Sequence, residues 1–153
     1  MALSKTIRTY FNNSWHQGDL PVMKAADHGA WLGSTVFDGA RSVNGLTPDL
    51  DKHCARVNRS AKALMIEPTV ETAAMIEIVQ DGLQQFDTGT AVYIRPMYWA
   101  IHGDSTGIVP TPEETGFAIS LEAIPMAPNS ATTTLTRTRF RRPVLEDAVV
   151  DAK

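Results

Sequence analysis

The sequence predicts an α+β fold in which a mainly antiparallel sheet carries helices on one face. One observation is the order of the elements, since a β-hairpin, two helices and two further strands follow one another along the chain. The second is the apolar period, which is two in the strand segments and three to four in the helix segments. The third is a threonine-rich strand near the end that has no later strand to pair with. This last strand predicts the start of a second unit that the sequence does not complete.

Two hairpins are predicted in the first third of the chain. Residues 6–11 alternate as a strand does, and Asn12-Asn13 supplies turn chemistry after it. Residues 33–43 form a second β region. Asn44-Gly45 then turns the chain into Leu46-Thr47, as in another hairpin.

Two helices are predicted next. Asp49 and Asp51 are candidate N-caps for a helix that ends near Met65, and Pro68-Thr69 is expected to start the second helix. The apolar stripes of the two helices are Leu50, Cys54, Val57, Ala61 and Leu64, and Met75, Ile78, Val79, Leu83 and Phe86.

The two most β-like segments follow the helices. They are residues 91–99 (AVYIRPMYW) and 116–124 (GFAISLEAI), separated by a long polar loop at 102–115. Loops of this length are usually functional or mobile. The predicted organisation is an α+β domain at 1–124, a linker at 125–130 and the start of a second unit at 131–153.

Composition excludes several classes of function. The 153 residues carry a net charge of -3, which does not support binding to nucleic acid or to an anionic membrane. No apolar run approaches the roughly 20 residues of a membrane span, and no secretory signal is recognised. The single cysteine, Cys54, indicates a reducing compartment and a buried structural thiol. A cytoplasmic location is therefore expected.

Few sequence motifs indicate catalysis by themselves. The sequence has no glycine-rich phosphate loop, no Gly-x-Ser-x-Gly elbow and no spacing of histidines typical of a metal site. Tyr93 and Arg95 are two residues apart, as are Phe37, Gly39 and Arg41, so each set lies on one face of its strand. An arginine and a phenol on one face suit an anion, although spacing alone favours a structural salt bridge.

Four blocks together resemble the class IV aminotransferases, which are the fold-type IV pyridoxal-phosphate enzymes. The blocks occur in the family's order, and the branched-chain amino-acid aminotransferases are the most similar subgroup. They are HGAWLGSTVFDGAR at 28–41, KHCARVNRSAKAL at 52–64, VYIRPM at 92–97, and RP…DAK at 142–153.

The resemblance implies a cofactor site for pyridoxal 5'-phosphate. Lys153 stands where the family's lysine forms a Schiff base with the cofactor and later shuttles a proton. Arg56 stands where a helix arginine binds the cofactor phosphate, for which a planar guanidinium is well suited. The family's second phosphate-binding loop, and the glutamate that pairs with the pyridine nitrogen, lie beyond this sequence.

The resemblance also implies a substrate site. The strand with Phe37, Gly39 and Arg41 lines the pocket, and Gly39 would let substrate or cofactor approach the backbone closely. Tyr93 would hydrogen-bond the substrate α-carboxylate, and Arg95 would accept an acidic side chain such as that of glutamate. The implied reaction moves an amino group between a branched-chain or other hydrophobic amino acid and 2-oxoglutarate.

The resemblance further implies that residues 1–124 are a small domain and that residues 131–153 begin a larger, β-rich domain that binds the cofactor. It also implies a homodimer or larger homo-oligomer, in which the loop at 102–115 closes the partner's pocket. Leu32 departs from the family, because a pocket tyrosine is common at this position in branched-chain aminotransferases. An amine or D-amino-acid transaminase, or an aminodeoxychorismate lyase, therefore stays open. A non-catalytic fragment or binding module is the non-enzyme alternative, with a basic stripe at Arg137, Arg139, Arg141 and Arg142.

Overall fold

A computed structural model describes residues 6–150 and residue 152. Its centre is a six-stranded antiparallel sheet, and its two long helices pack on one face of that sheet. The strands are β1 (Ile7–Phe11), β2 (Ser14–Gln17), β3 (Thr35–Phe37), β4 (Ala40–Ser42), β5 (Val92–Ala100) and β6 (Thr115–Ala123), and the helices are α1 (His28–Trp31), α2 (Leu50–Ala63) and α3 (Thr72–Leu83). The strand order is β2-β1-β6-β5-β3, with β4 also paired to β5. The predicted α+β class with an antiparallel sheet is confirmed.

The first hairpin forms where the sequence predicts it. Asn12 and Asn13 both have left-handed backbones, with φ of 50° and 60°. Such a pair matches the twist of the two strands that it joins, and asparagine tolerates this conformation. The predicted second hairpin is reduced to a turn at Asn44-Gly45, where Val43 and Leu46 form an isolated bridge.

The region at 33–43 is divided into two short strands because of a proline in the neighbouring strand. β3 and β4 share one register against β5, with Phe37 opposite Met97 and Ala40 opposite Ile94. Between them the Asp38 N–H donates to the carbonyl of Pro96 at 3.1 Å. Proline has no N–H to donate in return, so the ladder is interrupted at Asp38.

The start of α2 agrees with its prediction, whereas the start of α3 does not. Asp49 is the N-cap residue of α2, but its side chain makes no capping bond and binds Lys52 instead. Helix α3 begins at Thr72 rather than at Pro68. The Tyr98 hydroxyl holds the preceding segment, because it bonds both the N–H and the carbonyl of Val70, each at 3.2 Å.

The helix-covered face of the sheet contains the apolar core. Alternate residues of β5 and β6 point towards α2 and α3, in agreement with the predicted stripes. The buried members of this core are Val36, Ala40, Leu50, Cys54, Val57, Ala61, Ile66, Met75, Val79, Val92, Ile94, Tyr98, Ala100, Ile119 and Leu121. None of the helices in the described ranges is long and apolar enough to cross a membrane.

The threonine-rich segment after the linker is not a strand in this structure. Within the described part of the chain, no strand follows Ala123. Leu135 and Phe140 are 88% and 75% exposed. The predicted strand is therefore wrong for this chain, since β-structure requires a pairing partner and none reaches the segment.

Candidate active site

The face of the sheet opposite α2 and α3 gathers five predicted substrate residues. We call it the open face and define it by Phe37, Gly39, Arg41, Tyr93 and Arg95. The register places Arg41 directly opposite Tyr93 and Phe37 opposite Met97. Side chains that are paired across antiparallel strands lie on the same face. The two sequence patterns of period two therefore form a single cluster, which spacing within each strand could not show.

Tyr93 is the centre of this cluster. The guanidinium carbons of Arg41 and Arg95 lie 5.8 and 5.7 Å from the centre of its ring. A Cβ added to Gly39 would come within 2.4 Å of the Tyr93 hydroxyl oxygen. The space left by the absent side chain of Gly39 is therefore occupied by the phenol of Tyr93, whereas the sequence predicted an approach of substrate or cofactor.

The two arginines beside Tyr93 are held differently. Arg41 donates from Nη1 to the carbonyl of Ile124 at 3.0 Å, which fixes its guanidinium. Arg95 lies 3.7 Å from a carboxylate oxygen of Glu122, beyond hydrogen-bond length. The Arg95 side chain is 38% exposed, whereas that of Glu122 is 2% exposed. Arg95 is consequently the arginine better placed to meet an incoming anion.

A cavity of about 270 Å³ adjoins Arg95 on the open face. Apolar groups from Phe37, Met97 and Ala118 form much of its wall, and Arg95 supplies a positive charge. The remaining lining residues are Thr9, Asp19, Leu20, Val22 and Ser120. One cavity thus offers both an apolar surface and a cation, although Asp19 adds a carboxylate near its rim.

The predicted phosphate residue, Arg56, lies on the helix side of the sheet and binds Asp38. Its Nε and Nη2 donate to the two oxygens of the Asp38 carboxylate at 2.5 and 2.7 Å. Nδ1 of His53 lies 2.8 Å from the same carboxylate and 3.1 Å from Nη2 of Arg56. A carboxylate only accepts, so Nδ1 carries the proton when it bonds Asp38, and Nη2 then does not donate to Nδ1. The Gly39 N–H donates to Asp38 at 2.7 Å and completes the set.

The Asp38 side chain is fully buried and nevertheless ionised. Burial raises its pKa, but hydrogen bonds from Arg56, His53 and the Gly39 N–H outweigh burial and bring the pKa below the ordinary value. The hydrogen bond to Asp38 raises the pKa of Arg56 in turn. Arg56 is 40% exposed, and no hydrogen bond within the described residues uses its Nη1.

The structure therefore groups most of the predicted site and separates one residue from it. Five residues share the open face, whereas Arg56 lies across the sheet and reaches it through Asp38, the chain neighbour of Gly39. Lys153 lies outside the described residues. Cys54 is buried as expected, and burial raises the pKa of its thiol to about 11.

Sequence reasoning missed Asp38, His53 and Glu122. A signal for the first two was present: Asp38 occupies a core-facing position of a strand, and buried acids need partners. His53 and Arg56 are three residues apart, which places them on one side of a helix. Glu122 had no comparable signal, because only the pairing with β5 puts it opposite Tyr93.

The loop between β5 and β6 is fixed by a buried histidine. His28 donates from Nε2 to the carbonyl of Ile108 at 3.1 Å, and its Nδ1 lies 2.9 Å from the Ser34 hydroxyl. Ile108 itself is 64% exposed at the loop tip.

Among the described residues, no group of three or more histidine, cysteine, aspartate or glutamate side chains could hold a metal ion.

Comparison with known proteins identifies relatives of this chain. The family described as amino-transferase class IV matches residues 35–153. A probable branched-chain-amino-acid aminotransferase of Rickettsia conorii is 31% identical over 94 residues, which are 58% of this chain and 32% of that protein. A protein of the same description from Rickettsia felis is 29% identical over 126 residues, 78% of this chain and 42% of that protein.

Solved structures agree with the sequence relatives. An aminotransferase from Brucella abortus bound to the cofactor PLP is 48% identical, with a TM-score of 0.93, over 97% of this chain and 52% of that one. The branched-chain amino acid aminotransferase of Escherichia coli has a TM-score of 0.66 at 20% identity, over 83% of this chain and 42% of that one, and this likeness concerns the fold alone.

The chain spans about half the length, or less, of these relatives. The family match nevertheless covers most of the chain and includes β3, β4, the two long helices and the central strands. It also includes every residue predicted for the cofactor and substrate sites. This chain therefore belongs to the class IV aminotransferase family.

Proposed function

We propose that the protein is a pyridoxal-phosphate-dependent aminotransferase. It moves an amino group between a branched-chain or other hydrophobic amino acid and 2-oxoglutarate. The observation that carries this proposal is the cavity beside Arg95, because one space there offers an apolar wall and a cation. An enzyme that accepts a hydrophobic side chain in one half-reaction and a carboxylate in the other requires both.

The open face supports distinct roles for its polar groups. Tyr93 presents a hydroxyl donor for the substrate α-carboxylate. Gly39 has no side chain, and the Tyr93 ring occupies the space that a side chain would take there. Arg95 accepts the distal carboxylate of the acidic substrate, since its guanidinium is only loosely held by Glu122. Arg41 is tied to the Ile124 carbonyl and lies beside the ring of Tyr93.

The chain also offers a group that fits a phosphorylated cofactor. Arg56 is part exposed, its Nη1 is not engaged by the described residues, and its plane is fixed by Asp38. Arg56 would bind the phosphate of pyridoxal phosphate through this remaining edge. When bound, the cofactor takes up the electrons released at the substrate α-carbon. Lys153 would hold the cofactor and move the proton at its Nζ.

The proposal extends to the whole protein. Residues 1–124 form the small domain, 125–130 the linker and 131–153 the start of the large domain that completes the site. A homodimer or larger homo-oligomer in the cytoplasm, with no nucleic-acid or membrane partner, is the proposed working form. The described loop around Ile108 is fixed by the hydrogen bond from His28, and the Ile108 side chain is exposed. A fixed loop with an exposed apolar residue suits the proposed role of covering a neighbouring subunit's pocket.

The test uses full-length protein and an amino-donor panel with 2-oxoglutarate as acceptor. Leucine, isoleucine and valine should give 2-oxo acids at rates well above those of D-alanine and of a chiral arylalkylamine. The purified protein should absorb in the visible range through its cofactor, and Lys153→Ala should abolish that band. Leucine turnover without a visible band, or a band unaffected by Lys153→Ala, would contradict the cofactor assignment.

A second candidate is an amine or D-amino-acid transaminase, or an aminodeoxychorismate lyase, of the same family. Leu32 favours this candidate, because it stands where branched-chain enzymes commonly have a pocket tyrosine and its side chain is 43% exposed. The same panel separates the candidates, since D-alanine or the arylalkylamine would then be the best donor. A protein that neither binds the cofactor nor turns over any donor would favour the binding-module alternative.

A further inference from the structure

The buried carboxylate of Asp38 makes more contacts than the fold requires of it. Four hydrogen bonds converge on this side chain, from Nε and Nη2 of Arg56, from His53 and from the Gly39 N–H. Asp38 lies between β3 and β4 at a position that faces the apolar core. Such a position is ordinarily occupied by an apolar residue, and Val36 and Ala40, two residues before and after it, follow that rule. Asp38 is therefore an exception that needs a reason.

The geometry restricts Arg56 more than an ordinary helix arginine. A guanidinium held by two parallel hydrogen bonds to one carboxylate cannot rotate about its long axis, so its plane is fixed. The carboxylate is fixed as well, because the Asp38 backbone donates to Pro96 and the side chain accepts from Gly39 and His53. Nε and Nη2 point at Asp38, so the opposite edge of the guanidinium, which carries Nη1, points away from Asp38 and its direction is fixed.

This arrangement has an electrostatic disadvantage for binding an anion. Asp38 neutralises Arg56, so the pair attracts a phosphate less strongly at a distance than a lone arginine would. The compensating advantage is pre-organisation, because a part-exposed arginine otherwise loses the freedom of several rotatable bonds when it binds. The arrangement favours a ligand that is bound through directed hydrogen bonds rather than through net charge.

We propose that Asp38, supported by His53, is a positioning residue that aims the Nη1 edge of Arg56 at the phosphate of the cofactor. The proposal rests on the proposed function, since it takes the phosphate contact of Arg56 from there. The new element is that Asp38 and His53, which do not touch the phosphate, determine the affinity for the phosphate group and not the affinity for the rest of the cofactor.

The experiment compares two ligands that differ only in the phosphate. Full-length apoprotein is titrated with pyridoxal phosphate and with pyridoxal, and the ratio of the two dissociation constants gives the selectivity for phosphate. Asp38→Asn should lower this selectivity on the order of tenfold, and His53→Phe about threefold, because each removes part of the support of Arg56. The control is Asp49→Asn, the same change at an exposed site at the start of α2, the helix that carries His53 and Arg56. This variant should leave the selectivity for phosphate unchanged.

A double-mutant cycle identifies the route of the effect. In an Arg56→Lys background, which has no fork for Asp38 to hold, Asp38→Asn should no longer change the selectivity. A purely structural role would weaken both ligands equally in the single variant, and that result would overturn the proposal. Tighter binding of pyridoxal phosphate by Asp38→Asn would also overturn it, because the charge of Asp38 would then outweigh its orienting effect.

The outcomes separate this proposal from the proposed function. If Arg56→Lys itself leaves the selectivity unchanged, the phosphate contact of Arg56 is wrong and the positioning role falls with it, whereas the amino-donor panel still decides the proposed function. If Arg56→Lys lowers the selectivity but Asp38→Asn and His53→Phe do not, only the positioning role falls. His53→Phe keeps the Asp38–Arg56 pair, so it carries the test even where thermal unfolding shows that Asp38→Asn does not fold.

Discussion

The two faces of one sheet carry different tasks in this protein. The helix-covered face is a continuous apolar core in which Ile94 and Leu121 are fully buried. The open face presents Tyr93 beside two arginines, together with a cavity next to Arg95. Because successive residues of β5 alternate between the faces, the same strand supplies both. Stability and chemistry are therefore separable by single substitutions only one residue apart.

The largest expected effect comes from the core. Ile94→Ala should lower the free energy of unfolding by about 2–5 kcal/mol, because a fully buried side chain leaves a cavity behind. Phe37→Ala on the open face, where the side chain is 44% exposed, should cost roughly 1 kcal/mol. Urea unfolding of the two variants checks this, and equal losses would show that the open face is also part of the core.

Asp38 lies on the core side but is charged, so its contribution should depend on pH. Its pKa in the folded state is below the ordinary value of 3.8, which means that the ionised form stabilises the fold above that pH. This stabilisation should disappear as the pH falls from about 4 towards the lowered pKa. Asp38→Asn should cost about 1–3 kcal/mol at neutral pH.

The measurement is the free energy of unfolding of wild type and Asp38→Asn at pH 7 and at pH 3. The difference between the two proteins should shrink at the acid end. Asp51→Asn, at an exposed position on α2, provides the control and should follow wild type at both pH values. A difference that stays constant with pH would mean that Asp38 is not ionised in the folded protein.

Gly39→Ala should affect the open face more than the core. The new Cβ would lie 2.4 Å from the Tyr93 hydroxyl oxygen, so the ring must move. We expect a stability loss of about 1 kcal/mol, since overpacking strains the neighbours, together with a raised KM for amino-acid donors. Gly89→Ala is the matched control, because no atom lies within 4 Å of a Cβ there. An unchanged KM would remove Tyr93 from the proposed carboxylate site.

The smallest predicted change concerns selectivity between substrates. Glu122→Gln removes the negative charge that lies 3.7 Å from Arg95. A carboxylate substrate then no longer competes with Glu122 for Arg95, so the KM of that substrate should fall a few-fold. This is the size of effect expected from the free energy of one partly solvated ion pair. The KM for leucine should change much less. Glu77→Gln, at an exposed site on α3, serves as the control, and parallel changes for both substrates would contradict the competition.

Much of the fold was predictable because its signals are local. The Asn12-Asn13 turn, the stripe of α2 and the alternation in β5 and β6 each depend on a few neighbouring residues. The failures arose where distant residues decide. Tyr98 fixes the segment before α3, and Pro96 divides the strand at 33–43, although both are far from those segments in sequence.

The candidate site shows the same limit. The period of two correctly placed Phe37, Gly39 and Arg41 on one face, and Tyr93 and Arg95 on one face. Both groups lie on the same face of the sheet because of the register of β4 against β5, and no local pattern specifies that register. Arg56 was chosen from the resemblance alone, and its partner Asp38 emerges only from the packing of α2 against the strand.

The most direct test of the open face as the substrate site is the steady-state kinetics of Arg95→Gln in full-length protein. With leucine as donor and 2-oxoglutarate as acceptor, this variant should raise the KM for 2-oxoglutarate by about tenfold or more, since one charge-assisted contact is lost. The KM for leucine should change far less, because an apolar side chain gains nothing from the guanidinium. Equal changes for both substrates, or none for 2-oxoglutarate, would contradict the account.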